Sequence, residues 1–308
     1  MSGNRRRQFV SGIRLTALTT IVGWALITPG FLTPLSLFSL LTAISFIGCV
    51  AVGMNFITMT GNIMSLCLGA TASASALVFM SSLGLGVYAA AVIAILSGIA
   101  ITAAQGVVIG YFRANAILVS IASLGLILGM ADILTGGHSI YPAGGGSEIF
   151  KGRVLGLPVE TLIFFALVAI GQIVLSWTGL GRAMRMVGSN RRAAEAAGLP
   201  SPTVVTAAYV LAGACTAISG ILLSARYGSG DMDLGTGYDY SAIAAVLVGG
   251  TAIQGGSGSV IRTAIGVLVI AMVQVVLRLR GFSEQLQYLI TGPIVLVVIM
   301  LHSVGERH

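Results

Sequence analysis

The side chains here best suited to act on a solute are amides set within long apolar stretches: Asn55, Asn62, Gln105, Gln172, Gln254 and Gln274. An amide offers donors and an acceptor without charge, so amides along a pore suit a neutral polar solute. They suit hydrogen bonds between helices in lipid equally well. Other chemistry is hard to assemble. The single lysine, Lys151, does not stand in Gly-x-x-x-x-Gly-Lys-[Ser/Thr], so the chain has no such loop for ATP. Gly255-Gly256-Ser257-Gly258 follows no strand pattern and is not a dinucleotide fingerprint. His138, His302 and His308 have no companion at metal-ligand spacing, and Cys49, Cys67 and Cys215 lie inside apolar runs. Neither a metal centre nor a disulfide framework is expected. No Ser/His/Asp triad or carboxylate pair can be defended; Asp132 is the only acid well inside an apolar stretch. The residues therefore point to no catalytic group and no cofactor. Scarce buried carboxylates also argue against an ion-coupled carrier, the alternative reading, because intramembrane charges mark ion relays.

The elements that must position these amides follow from composition. Of 308 residues 56% are hydrophobic and 8% charged, whereas a soluble domain carries about 25% charged residues. A net charge of +7 on so few charges makes no basic face for nucleic acid. Stretches of about 20 apolar residues each cross a hydrocarbon core. They fall near 14–31, 35–58, 62–82, 85–111, 115–135, 159–178, 203–226, 239–254, 261–279 and 285–303. The expected fold is an all-α polytopic membrane protein of about ten transmembrane helices, a single transmembrane domain over 1–308. Arg5-Arg6-Arg7 before an apolar run, with no small-residue cleavage site, reads as the flank of a retained first span. The eighth stretch is short: Tyr240 to Ile253 spans roughly 21 Å as helix, holds Gly249-Gly250, and runs into more glycine. A broken or re-entrant helix fits, of the kind that survives only inside protein or along a cavity. With ten spans and the N-terminus inside, eleven basic residues fall inside and five outside, which predicts N-in and C-in.

Three regions exceed simple connections. The loops 136–158, rich in Gly and Pro, and 227–238 are expected outside. The loop 179–202 is expected inside, with a short helix over Arg191–Ala197 that Ser189 or Asn190 caps and Gly198 and Pro200 end. Gly188-Ser189-Asn190 is expected to turn the chain. Arg191, Arg192 and Glu195 supply charges, and Ala193, Ala194, Ala196 and Ala197 keep the helix slim enough to seat on a soluble partner. Ala70 to Ala76, Gly106…Gly110 and Gly125…Gly129 place small residues for close helix packing.

Two stretches carry a family resemblance. Leu180-Gly181-Arg182…Gly188-Ser189-Asn190…Ala193-Ala194…Gly198-Leu199 and Gly235-Thr236-Gly237-Tyr238-Asp239-Tyr240-Ser241-Ala242-Ile243…Gly249-Gly250-Thr251…Gly255-Gly256…Gly258 resemble the inner-membrane permeases of ABC importers for monosaccharides. These are the ribose, galactose, xylose and autoinducer group. The match covers about the last 130 residues well and the first 135 loosely, through Thr60-Gly61-Asn62-Ile63. It departs at Gly61–Gly69, one residue longer than the family's Gly-Gly-Ile-Asp-Leu-Ser-Val-Gly and without its acid, and at Asp239 and Ser241, where the family has Glu and Asp. The resemblance implies a bacterial inner-membrane subunit that supplies a path while a separate ABC ATPase subunit hydrolyses ATP. That ATPase would dock at Gly188, Ser189, Asn190, Arg191, Arg192, Ala194, Glu195 and Gly198. A periplasmic solute-binding protein would deliver a sugar or sugar-like solute from outside, and a second permease chain, identical or diverged, would complete the pore within membrane lipid.

Overall fold

The computed structural model describes residues 23, 27–62, 64–142, 147–154, 156–283, 286–287, 289–290 and 292–293. The first and last expected spans, 14–31 and 285–303, lie largely outside them. Ten α-helices are described: α1 Pro34–Met59, α2 Leu68–Ser82, α3 Val87–Tyr111, α4 Ala116–Thr135, α5 Val159–Trp177, α6 Gly179–Ser189, α7 Arg191–Ala196, α8 Ser201–Tyr227, α9 Tyr238–Val248 and α10 Val260–Leu279. Seven of these segments, α2 extended by its 3-10 turn to Leu85, are long and apolar enough to cross a membrane. The protein is an all-α polytopic membrane protein. Its only strands among the described residues, β1 Arg153–Val154 and β2 Leu157–Pro158, make a small hairpin before α5.

The bundle is built around α1 and α8. From Ile44 to Met59 every residue of α1 is buried, and a helix apolar on all sides belongs inside a bundle. Helix α8 packs on α1, α2 and α3. Its register against α3 is antiparallel and set by small residues. A Cβ on Gly98 would press on Ala217 and Gly213, one on Gly106 on Thr206 and Tyr209, and one on Gly110 on Pro202. Backbones that approach this closely gain dispersion contacts that larger side chains would block. Gly220 of α8 meets Ala72 and Ala76 of α2 in the same way. Gly125 and Gly129 meet nothing: α4 buries only Ala116, Ser120, Ile127 and Ala131 and exposes Leu118, Ile121, Leu126, Leu128, Ile133 and Leu134, as a lipid-facing helix does.

Two helices begin or end inside the bundle. The eighth segment, expected over 239–254, is helical only as α9, about 16 Å long at 1.5 Å per residue. Gly237 enters it and Gly250 leaves it, both at positive φ (81° and 79°). The third segment, expected to begin at 62, begins instead at Leu68. Cys67 meets Gln105, six residues from the end of α3, so α2 starts about 9 Å inside that end. Residues 60–62 and 64–67 are non-helical. The first half of the chain therefore holds an interrupted segment of its own, which the sequence pattern did not reveal. The loop 179–202 also holds more helix than expected. Gly188 and Ser189 are the last residues of α6, not a turn, and the chain reverses only at Asn190.

Candidate functional site

One end of the bundle holds a cavity of about 690 Å³. It lies between the first turns of α1, the end of α8, residues 229–237, the start of α9 and the end of α10. Its walls carry Thr42, Tyr141, Asp233, Ser241 and Gln274, with Arg226 and Arg278 at the helix ends. These groups donate, accept and stack, which is what a polyhydroxylated solute requires. Arg226 is tethered: the buried Glu160 at the start of α5 stands 3.9 Å from its Nη1. Asp231 is fixed by the Ser139 hydroxyl and accepts the Asp233 N–H at 2.9 Å. These bonds hold its carboxyl below the usual carboxylate range, so it is charged at neutral pH.

The amides separate into two groups. Gln274 is on the cavity wall and gives its Nε2 to Ser241 Oγ at 2.9 Å. The other five do not line it. Asn55 Nδ2 donates to Thr263 Oγ1 at 2.7 Å, tying α1 to α10. Gln105 Nε2 reaches Cys67 Sγ at 3.4 Å. Gln172 Oε1 accepts the Ser259 hydroxyl at 3.0 Å and the Ile261 N–H at 3.3 Å, capping α10 from α5. Asn62 Nδ2 bonds Thr60 Oγ1 at 2.9 Å, and Gln254 is exposed in the loop after α9.

The opposite end carries the α6–α7 hairpin. Thr178 Oγ1 accepts the Gly181 N–H at 3.2 Å and starts α6. Asn190 Oδ1 accepts the Ala193 N–H at 3.0 Å and starts α7. At its far end the Leu199 N–H returns to the Ala194 carbonyl and the Gly198 N–H to that of Glu195, both at 3.0 Å. This paired closure needs the left-handed φ of 81° that Gly198 adopts. Glu195 takes Arg191 Nε and Arg113 Nη2, each at 3.1 Å, and Arg191 Nη2 reaches the Gly110 carbonyl at 2.9 Å. The hairpin is thus clamped to the α3–α4 turn. Ala194, expected among the docking residues, is buried in the core; Arg192, Ala193, Ala196 and Ala197 face outward. Between the two helices runs an apolar groove of about 340 Å³ lined by Arg185, Met186, Ser189, Asn190, Ala193, Ala194 and Ala197.

Between hairpin and bundle three backbone segments meet with no side chain between them. A Cβ on Gly188 would strike the Met59 carbonyl and the Gly256 nitrogen, and one on Gly255 would strike Gly61. One on Gly61 would come within 3.2 Å of Gly188. The Gly256 N–H donates to the Met59 carbonyl at 3.1 Å. The end of α1, the end of α6 and the loop after α9 therefore form one junction. Of the remaining signature residues, Gly249 abuts the Arg262 and Thr263 backbone, Thr251 is buried, Tyr238 lines the cavity, and Asp239 is buried against α2. Sequence reasoning missed Ser241 and Arg226 as wall residues, and the apolar spacing Leu180, Ala183, Met184, Val187 that announces α6.

Comparison with known proteins follows this geometry. The family described as branched-chain amino acid transport system / permease component matches residues 36–300. The ribose import permease protein RbsC of Bacillus subtilis (strain 168) is 31% identical over 284 residues, 90% of this chain and 87% of that protein. The autoinducer 2 import system permease protein LsrD of Escherichia coli (strain SMS-3-5 / SECEC) is 30% identical over 269 residues, 84% and 81% of the two chains. The L-arabinose ABC transporter permease protein AraH of Azospirillum brasilense is 30% identical over 302 residues, 94% and 86%.

Proposed function

We propose, from the premise that the chain belongs to the branched-chain amino acid transport system / permease component family, that it is the transmembrane subunit of an ATP-driven ABC importer. Its cargo on this reading is a sugar or a sugar-like solute, and it works as a multi-pass protein of the bacterial inner membrane. The observation that carries the reading is the two-ended architecture: a polar cavity at one end and a capped helical hairpin at the other, joined through the Gly61–Gly188–Gly256 junction. The cavity receives solute from a periplasmic binding protein. The hairpin seats on a separate ABC ATPase subunit, and a second permease chain, identical or diverged, closes the path. Ten spans with both termini inside would place Arg113, Arg182, Arg185, Arg191 and Arg192 on the cytoplasmic side and Lys151, Arg226 and Arg278 outside, as the positive-inside bias favours.

In mechanism the chain supplies path and lever. Closure of the ATPase dimer shifts the hairpin. Because α6 touches α1 and the loop after α9 backbone to backbone, the shift passes to the two segments that lead back into the bundle. The kinship with importer permeases supports this over an ion-coupled secondary carrier. The test is reconstitution in proteoliposomes with an ABC ATPase subunit and a binding protein from the same organism, measuring uptake of labelled ribose, L-arabinose and neutral amino acids. ATP-dependent uptake of a sugar is expected. Uptake driven by a proton or sodium gradient without the ATPase would overturn the reading.

A further inference from the structure

The buried part of the cavity wall is uncharged and turned to accept hydrogen bonds. The charged groups Arg226, Asp233 and Arg278 are exposed. Thr42, Ser241 and Gln274 on the same wall are buried, Gln274 with only 9% of its surface accessible. A hydroxyl carries one proton. Thr42 spends its proton on the Phe38 carbonyl at 2.9 Å, and Ser241 on the Gly237 carbonyl at 3.1 Å, each one turn back along the chain. The Ser241 oxygen can then only accept, and it takes an Nε2–H of Gln274 at 2.9 Å. This fixes which way round the amide stands, with nitrogen on Ser241 and oxygen away from it. Among the described residues Gln274 Oε1 accepts from no donor, yet it is not sealed in the bundle as Asn55 Oδ1 and Gln105 Oε1 are.

An open acceptor on a fixed amide reads one feature of a neutral solute, a hydroxyl that donates. We propose that Gln274 is a specificity-determining residue of the path: its Oε1 accepts one hydroxyl of the passing sugar. Ser241 is the positioning residue that keeps the amide from turning its nitrogen to the solute. This rests on the importer reading above and deepens it, because selection then takes place in the membrane subunit as well as in the binding protein. A sugar without that hydroxyl leaves the acceptor stripped of water and unpaired. A site built around a hydroxyl rejects such an analogue more strongly than an apolar pocket does. A bond that only tied α9 to α10 would leave no trace in selectivity.

The test uses the same proteoliposomes and measures kcat/KM for whichever of ribose and L-arabinose the wild type imports. It then measures kcat/KM for the monodeoxy analogues of that sugar, one hydroxyl removed at a time. The binding protein is the same throughout, so its own preference cancels from any change in the ratio of parent sugar to analogue. For one analogue, Gln274→Met is expected to lower that ratio about threefold or more, the size of one neutral hydrogen bond. Ser241→Ala, which frees the amide to turn, is expected to lower it for the same analogue. Either variant suffices should the other fail to assemble. Ser241→Thr keeps the hydroxyl and is expected to keep the wild-type ratio. Gln172→Leu, an amide off the cavity, is expected to lower uptake of every sugar alike. Wild-type ratios in both Gln274→Met and Ser241→Ala would make the pair a packing contact and overturn the assignment. So would an equal loss of selectivity in Gln172→Leu, which would trace it to general damage, and so would a relaxed ratio in Ser241→Thr. Wild-type proteoliposomes that import neither sugar with ATP would refute the importer reading and this inference with it; ATP-driven uptake with unchanged ratios refutes the inference alone.

Discussion

The Asp239 carboxylate accepts the backbone N–H of Gly69 at 2.7 Å, across 170 positions of sequence. Helix α2 has no side-chain cap of its own at Cys67, and the carboxylate from the first turn of α9 satisfies its free N–H groups from across the bundle. Negative charge at a helix N-terminus is favourable, and here it joins the starts of two helices that begin within the protein. A Cβ on Gly69 would strike both Gly235 and Asp239, so glycine at 69 and an acid at 239 are one device.

Removing that bond leaves helix donors buried without an acceptor. Asp239→Ala should therefore destabilise the protein by about 1.5–3 kcal/mol, the range for hydrogen bonds to charged groups, with Asp239→Asn losing less. Thermal unfolding of the purified permease in detergent reads this out. An Asp239→Ala protein that melts with the wild type would remove the cap from the account.

The junction predicts opposite signs for two glycine substitutions. Alanine is the better helix former by about 0.8–1.0 kcal/mol, and Gly125 of α4 has open space around it; Gly125→Ala should raise stability or leave it unchanged. Gly188 also lies in a helix, yet Gly188→Ala must push α6 off Met59 and Gly256. Overpacking of this kind loses about 1–3 kcal/mol. If the junction transmits motion, solute carried per ATP hydrolysed should fall as well. Equal melting shifts and full coupling in Gly188→Ala would refute both.

The two groups of amides should behave differently. Gln274→Leu removes a polar group from the cavity wall together with its bond to Ser241, so uptake should fall severalfold while stability falls by only about 1 kcal/mol. Gln172→Leu leaves the start of α10 without its cap from α5, and stability should fall by about 1 kcal/mol at whatever uptake the remaining folded protein supports. A Gln274→Leu variant with normal uptake would take that side chain off the path.

Much of this was legible in the sequence, for reasons visible in particular residues. Local signals sufficed for α7, where Asn190 caps and Gly198 terminates, and for α1, α3, α4, α5, α8 and α10, whose apolar runs end within about two residues of the helices. They failed where the deciding contact is remote. Nothing near residue 62 announces that α2 waits until Leu68, because its cap, Asp239, arrives from α9. Helix α6 was hidden by Gly179, Gly181 and Gly188, poor helix formers by propensity. Gly181 and Gly188 are required by packing: the first lies on the end of α5, the second at the junction. The amides were ambiguous because a side chain's type does not say whether a neighbouring helix or a cavity receives it.

Orientation is open to thiol labelling at sites chosen for exposure. Ser201 is fully buried, so a cysteine there would report burial, not sidedness. Ala193 is exposed on α7 and Ser229 lines the cavity. With the termini inside, Ser229→Cys should react with a membrane-impermeant maleimide in intact cells, and Ala193→Cys only after permeabilisation. The reverse pattern would invert the topology.

The clamp on the hairpin predicts a pH response. Glu195 is held below its usual value of about 4.5, first by its hydrogen bond from Arg191 and then by the nearby charge of Arg113. A carboxyl whose folded pKa is depressed contributes stability that is present above its unfolded pKa and lost as pH falls through the folded one. The clamp is therefore intact at neutral pH and released only below about pH 4.5. Spin labels at Phe112→Cys and Ala197→Cys, one on each side of the clamp, should give a narrow distance distribution at pH 7 that broadens only as the pH is taken below the ordinary carboxylate range. Glu195→Gln keeps an amide oxygen that can accept from a guanidinium but carries no negative charge at any pH, so the clamp loses its ion pairs; its distribution should already be broader at pH 7 and should not change on acidification. A narrow distribution in Glu195→Gln at pH 7 would show that the core contacts of Ala194, not the ion pairs, hold the hairpin in place.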